Sequence, residues 1–306
     1  MVTQSLDILV AETIDALGCR FLQGEVGRQV NRYGVPDKVL VEIGREADLL
    51  EFEYPFLLDN LDMSIYSPDD LEDESYAPLL GTIPNLKVPT RLRDAPLLLQ
   101  PNGQSSAAEA FRLLRSNVLT LDFGRPPRSL LITSVEPDAG KSTVLANLAV
   151  ALGHSGRSIV AVDCDLRKPS LDKVFGVTNG LGLKNVIAQA DDLESAIQKT
   201  KVTGVKVLAS GPSAHNPAEL LGLPAMQQII GDLANWADLI LIDSPPLVQF
   251  SDAVILAPYV DGVALVVSRG RVTGAQVEKA LAQLARVGVE QIGIVFNRAE
   301  PHQAVY

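Results

Sequence analysis

The chain has 306 residues, 47% of them hydrophobic, which is enough to build one large α/β domain with a smaller segment beside it. Its two cysteines, Cys19 and Cys164, have no paired spacing, which excludes a disulfide framework or a cysteine zinc site and fits a reducing compartment. The formal charge of −11 is concentrated in the first 100 residues, where 18 acidic face 8 basic side chains, and the lack of a basic stripe excludes nucleic acid as the main partner.

Leu6, Leu9, Val10, Ile14, Leu17 and Phe21 recur at helical spacing, and a second helix is predicted over 37–52 after the Gly34-Val35-Pro36 punctuation. Asp7, Glu12 and Asp15 stand where a secretion signal would carry its basic and apolar stretches, and no apolar run reaches the ~18–20 residues that cross a bilayer. Ser67, Pro68 and the acids after them read as a helix start, with Ser67 as cap and Pro68 at the first helical position. Four prolines between Pro84 and Gly103 mark a linker, so the domain boundary is placed near Asp94. Residues 1–94 are then an N-terminal helical and linker segment without a transmembrane helix, and 95–306 the main domain.

Helical spacing resumes over 105–120. Short apolar strands follow at 129–133, 158–162, 205–208, 239–242, 263–267 and 292–296, alternating with helical stretches. Such alternation predicts an α/β fold with a mostly parallel central sheet and helices on both faces.

Three segments at the ends of these strands carry chemistry. The strand Leu130–Thr133 runs into Ser134-Val-Glu-Pro-Asp-Ala-Gly-Lys-Ser-Thr143 and then an apolar helix, the strand, loop and helix context of a phosphate-binding P-loop. Main-chain amides from Asp138 through Ala139, Gly140, Lys141, Ser142 and Thr143 can face phosphate oxygens. Lys141 can pair with the β- and γ-phosphates, and Ser142 can offer an oxygen to Mg²⁺. Val135 replaces the first glycine of the usual pattern.

The run Ile159–Val162 ends in Asp163-Cys-Asp165, and Leu239–Ile242 delivers Asp243. Ligands gather at the carboxyl ends of strands in open α/β sheets. Alternation along an extended chain points Asp163 and Asp165 one way and Cys164 the other, into packing. The set Ser142, Asp163 and Asp243 suits Mg²⁺, which takes one or two carboxylates with phosphate and water.

Together these segments resemble the cytoplasmic kinase domain of the bacterial tyrosine kinases (BY-kinases) of capsular and exopolysaccharide co-polymerase systems. Thr133–Thr143 is similar to the family's Walker A loop, Val162–Leu171 to its Walker A′ motif and Leu239–Pro246 to its Walker B motif. Further similarity covers Asn216–Leu221, Ser251–Ala253 and Val295–Arg298, and upstream Ser67–Leu71 and Leu80–Pro84.

The resemblance implies a P-loop kinase domain over 95–306 that uses ATP and Mg²⁺ to phosphorylate tyrosine on itself, in the control of polysaccharide synthesis or export. It implies Lys141, Asp163 and Asp165 as catalytic residues, with Asp163 or Asp165 taking the phenol proton, and it places Asn297 near the adenine. Glu109, Arg112 and Arg115 reproduce the E-x-x-R-x-x-R signature of ring-like self-association, and their spacing puts all three on one broad helix face. A membrane-embedded co-polymerase or activator on a separate chain, a cognate tyrosine phosphatase and a cytoplasmic location at the inner face of the plasma membrane through that partner are also implied.

The tail departs from the family. A single tyrosine, Tyr306, closes the chain in place of a tyrosine cluster, and is the candidate phospho-acceptor. Two rival readings are a Min/Par-type ATPase switch, against which Val135 and Glu136 occupy the place of that class's cross-dimer lysine, and a nucleotide-sensing scaffold without turnover.

Overall fold

Successive strand residues point to opposite faces, and in this chain both faces are apolar. Leu130 and Ile132 join one hydrophobic core with Leu145, Leu148 and Phe111, whereas Leu131 joins another with Val160, Ile242 and Ile230. A sheet buried on both sides must be covered by helices on both sides. The computed structural model shows this arrangement and describes residues 64–71, 77–85, 106–120, 126–300 and 303, all within the unit Met63–Tyr306. The helices expected over 6–22 and 37–52, and Tyr306, lie outside the described residues.

The strands are β1 (Leu79–Pro84), β2 (Ser129–Ser134), β3 (Ile159–Asp163), β4 (Ile197–Lys199), β5 (Val205–Leu208), β6 (Leu239–Asp243), β7 (Gly262–Ser268) and β8 (Ile292–Ala299). They form one sheet in the order β1-β8-β7-β2-β6-β3-β5-β4. Every pairing is parallel except β4 with β5. The helices are α1 (Ser106–Thr120), α2 (Lys141–His154), α3 (Leu171–Phe175), α4 (Leu183–Ile187), α5 (Leu193–Ala196), α6 (Pro217–Leu221), α7 (Pro224–Leu233), α8 (Asp252–Leu256) and α9 (Gly274–Arg286).

Helix α2 is buried at every position from Val144 to Gly153. Such an all-round apolar helix needs cover on two sides, and it lies in one core with strand residues and with Phe111, Leu114 and Val118 of α1. The opposite core takes the apolar sides of α4, α7, α8 and α9. Within α9 the stripe is narrow, Val277, Ala280 and Leu284, and Thr273 caps it by accepting from Gln276 N.

Strands β1 and β4 were not among the sequence expectations. Strand β1 falls ahead of the expected boundary near Asp94 and pairs with β8, Ile83 opposite Asn297. Ser67 meets its expected capping role over a 3-10 helix, Pro68–Leu71, its Oγ accepting from Asp69 N at 3.3 Å. Tyr259 is partly buried against the core, and His154 ends α2 on the surface.

Candidate nucleotide and metal site

Parallel register sets the site. Ile132 of β2 pairs with Asp243 of β6, and Asp243 pairs with Asp163 of β3. The P-loop therefore leaves β2 beside two aspartates delivered by the next two strands, at the carboxyl edge where ligands bind in open α/β sheets.

The loop backbone is held in an uncommon shape. Asp138 has φ 56° and Gly140 has φ 91°, both in the left-handed region that only glycine enters freely. A Cβ on Gly140 would meet Asn297 Nδ2 at 2.5 Å. Asn297 Nδ2 donates to Ala139 O at 2.6 Å, and Arg298 Nη2 donates to Asp138 O at 2.6 Å. Arg298 itself has φ 62°. These two side chains from the end of β8 brace consecutive carbonyls of the loop, which turns its amides the other way, toward an anion. Helix α2 begins at Lys141 with no side-chain cap, leaving its first amides for such a ligand.

Lys141 Nζ pairs with Asp165 Oδ2 at 2.9 Å. Burial opposes the lysine charge, but Asp243 and Asp165 more than offset it and hold its pKa above the usual lysine value. Ser142 Oγ donates to Asp243 Oδ2 at 2.5 Å. Asp163 is wholly buried, and its carboxylate accepts from the main-chain amides of Asp165 (3.2 Å), Ser170 (2.9 Å) and Leu171 (2.9 Å). It thus gathers the Walker A′ loop around itself. Burial, then the neighbouring Asp243, push Asp163 far above the carboxylate range; burial pushes Asp243 up as well, against the pull of Lys141 and Ser142.

Cys164 is buried in the core that carries Val160 and Val162, turned away from both acids as alternation requires. Glu136 is half-buried in the loop with both carboxyl oxygens shielded from solvent, and desolvation raises its pKa to about 7 against the pull of nearby main-chain amides, Arg271 and Arg298.

Among the described residues no three His, Cys, Asp or Glu side chains form a ready-made metal cage. A divalent cation nonetheless fits at Ser142 and Asp243. Asp243 Oδ1 is buried with no hydrogen-bond partner, and two crowded carboxylates with raised pKa values are short of positive charge. Mg²⁺ characteristically takes one or two carboxylates and completes its shell with phosphate and water.

Two contacts had no role in the sequence reading. Arg167 of the Walker A′ loop holds the fully buried Asp252 with both ends of its guanidinium, Nη2 to Oδ2 at 3.1 Å and Nε to Oδ1 at 3.2 Å, and lies 4.2 Å over the Phe250 ring. The pair ties the loop bearing Asp165 to α8. The other is the Arg298 brace; Arg298 lay within the family-like stretch Val295–Arg298, but nothing in that pattern gave it a contact with Asp138 O.

On α1, Glu109 and Arg112 form an exposed pair at 2.6 Å, whereas Arg115 Nη1 donates to Ala151 O in α2 at 3.2 Å. Arg115 is thus engaged with its own chain.

A parallel sheet, a strained anion-ready loop and a lysine among three aspartates define a nucleotide-binding P-loop NTPase. The ParA family model, described as NUBPL iron-transfer P-loop NTPase, matches residues 127–302. Tyrosine-protein kinase YwqD of Bacillus subtilis is 34% identical over 205 residues, covering 67% of this chain and 86% of that one. The kinase domain of Escherichia coli tyrosine kinase ETK superposes with a TM-score of 0.70 at 28% identity, covering 79% of this chain and 98% of that one. The MinD protein of Pyrococcus horikoshii, solved with Mg-ADP, gives a TM-score of 0.50 at 31% identity, over 58% of this chain and 75% of that one. The chain belongs to the ParA-type P-loop NTPases and, within them, to the bacterial tyrosine-protein kinases.

Proposed function

We propose that this protein is an ATP- and Mg²⁺-dependent tyrosine kinase that phosphorylates copies of itself and thereby regulates capsular or exopolysaccharide synthesis and export. The single observation that carries this reading is the convergence of Lys141, Ser142, Asp163, Asp165 and Asp243 at one strand edge beside a braced P-loop. Family membership supports a tyrosine phenol as the acceptor.

In-line phosphoryl transfer asks a protein to position groups and to offset developing charge. Gly140, Lys141, Ser142 and Thr143 bind and orient the triphosphate, with Asp138 and Ala139 held by Arg298 and Asn297. Asn297 is fixed on Ala139 O, and its place near the adenine is proposed from the family resemblance. Ser142 and Asp243 would hold Mg²⁺, with Asp163 behind them, and the chemistry such an ion would supply there is the neutralisation of charge on phosphate oxygens. Lys141 exchanges Asp165 for phosphate oxygens when nucleotide enters. Asp165, whose Oδ2 is freed when the lysine leaves while Oδ1 keeps Lys168 N, is the better placed of the two candidate acceptors for the phenol proton, because Asp163 is occupied by three main-chain amides.

The wider readings are proposals of the same kind. Glu109 and Arg112 offer an exposed charged face on α1 for ring-like self-association. Arg115 contributes by holding α1 against α2. Tyr306 is the proposed acceptor at the tail. The activator is a membrane-embedded co-polymerase on a separate chain, a tyrosine phosphatase reverses the reaction, and the kinase works in the cytoplasm at the inner face of the plasma membrane. No helix among the described residues is long and apolar enough to cross a bilayer. The test is phosphotyrosine formation on incubation with Mg-ATP, absent in Lys141→Met.

A further inference from the structure

The segment ahead of β1 is fastened to the turn that follows β7. Ser64 bridges Thr273, Ile65 N donates to Val272 O at 2.8 Å, and Gly270 N donates to Ile65 O at 2.7 Å. Gly270 has φ 64°, and a Cβ there would stand 2.9 Å from Tyr66 Cε1, so the Tyr66 ring rests directly on this turn. Tyr66 N donates to Asp70 Oδ2 at 3.0 Å. Its carbonyl accepts from Arg269 Nε at 3.2 Å and from Gln303 Nε2 at 3.0 Å.

Tyr66 is therefore a junction between the upstream segment and the start of the tail. Tyr66 is 37% exposed. The Arg269 guanidinium lies 5.2 Å from the ring centroid and also pairs with Glu300 Oε1 at 2.5 Å.

We propose that Tyr66 is a second phospho-acceptor of this kinase, modified by another copy of the chain, with Arg269 as the cation that receives the new phosphate. The inference rests on the kinase reading above. Its phenol oxygen attacks the γ-phosphorus of ATP, the bond from that phosphorus to the β,γ-bridging oxygen breaks, ADP leaves, and the phenol proton passes to the site base or to water. The reaction is assigned to a second copy because Tyr66 N is held by Asp70 and its carbonyl by Arg269 and Gln303 of its own chain, so the phenol stays on this turn and the nucleotide site is brought to it by another molecule. Phosphorylation adds a charge of roughly −2 beside a guanidinium that already serves one carboxylate. A phosphate dianion competes well for such a cation, and drawing Arg269 from Glu300 loosens the hold on the tail through Gln303.

The experiment mixes wild-type chain, Mg-ATP and full-length Lys141→Met chain carrying a mass label, then maps phosphotyrosine by peptide. Phosphate on Tyr66 of the Lys141→Met chain, kept when Tyr306→Phe is added and lost when Tyr66→Phe is added, is the expected result. Label confined to other tyrosines overturns the inference and leaves the kinase reading intact; no phosphotyrosine on any residue overturns both. Amide exchange beyond Ala299, several-fold faster in the Tyr66-phosphorylated chain, is expected from the competition for Arg269, and unchanged exchange overturns that role for Arg269.

Discussion

Lys141 Nζ stands 2.9 Å from Asp165 Oδ2, so the P-loop lysine is held by the Walker A′ carboxylate. In the proposed mechanism both ends of this pair have a second use, the lysine on phosphate and the aspartate on the phenol proton. Nucleotide binding must separate them.

Substitution at the two ends is therefore expected to have opposite effects on binding. Lys141→Met removes a charge-assisted contact worth about 1.5–3 kcal/mol and should weaken ATP binding by roughly 10- to 150-fold. Asp165→Asn removes the competitor and should leave ATP binding unchanged or tighter, while lowering transfer to tyrosine by about 100-fold or more, the range of a lost general base. Calorimetric ATP titration beside a phosphotyrosine rate measurement separates the two. Asp165→Asn chain that binds ATP much more weakly than wild type refutes the exchange.

Gly140→Ala should impair the loop on two counts, a left-handed φ of 91° and a Cβ 2.5 Å from Asn297 Nδ2. Backbone strain of this kind costs about 1–3 kcal/mol. Asn297→Ala removes the clash but also the brace on Ala139 O, so in denaturant unfolding Gly140→Ala should cost less in the Asn297→Ala background than in wild type, yet still cost the strain. No cost of Gly140→Ala in the Asn297→Ala background would show that φ at residue 140 is unimportant.

Glu136 predicts a pH dependence. Its pKa is raised from 4.5 to about 7, so the folded chain binds the proton more tightly than the unfolded chain. Stability from this group is fully present below about pH 4.5 and is lost as pH rises through about 7. Glu136→Gln should match wild type at low pH, exceed it in melting temperature at pH 8, and flatten the decline between. Equal melting temperatures of the two proteins at pH 8 would contradict a carboxylate whose desolvation outweighs its partners.

What could be read from the sequence follows the range of the forces involved. All six expected strands are present because each is an apolar run long enough to be buried on both faces, and the P-loop is legible because it lies between such a strand and an apolar helix. Strand β1 escaped notice because it is an edge strand containing Gly81 and Pro84, and β4 because it has three residues, two of them polar. Edge strands carry weak patterns, being satisfied on one side only.

Within the site, Asp163 and Asp243 follow from their strands, but their neighbours do not. That Asp163 is wrapped by the amides of Asp165, Ser170 and Leu171, that Arg167 reaches Asp252, and that Arg115 turns to Ala151 are contacts between residues distant in sequence or fixed by loop path. No local periodicity encodes them. The i,i+3 pair Glu109–Arg112 is the opposite case, a contact that helix geometry alone supplies.

The most direct test of the account is phosphoamino-acid analysis of purified chain after incubation with Mg-ATP, with Lys141→Met in parallel. The account predicts phosphotyrosine in the wild-type chain and none in the variant. ATP consumed by the wild-type chain with no tyrosine labelled would contradict it, leaving a P-loop ATPase without kinase activity.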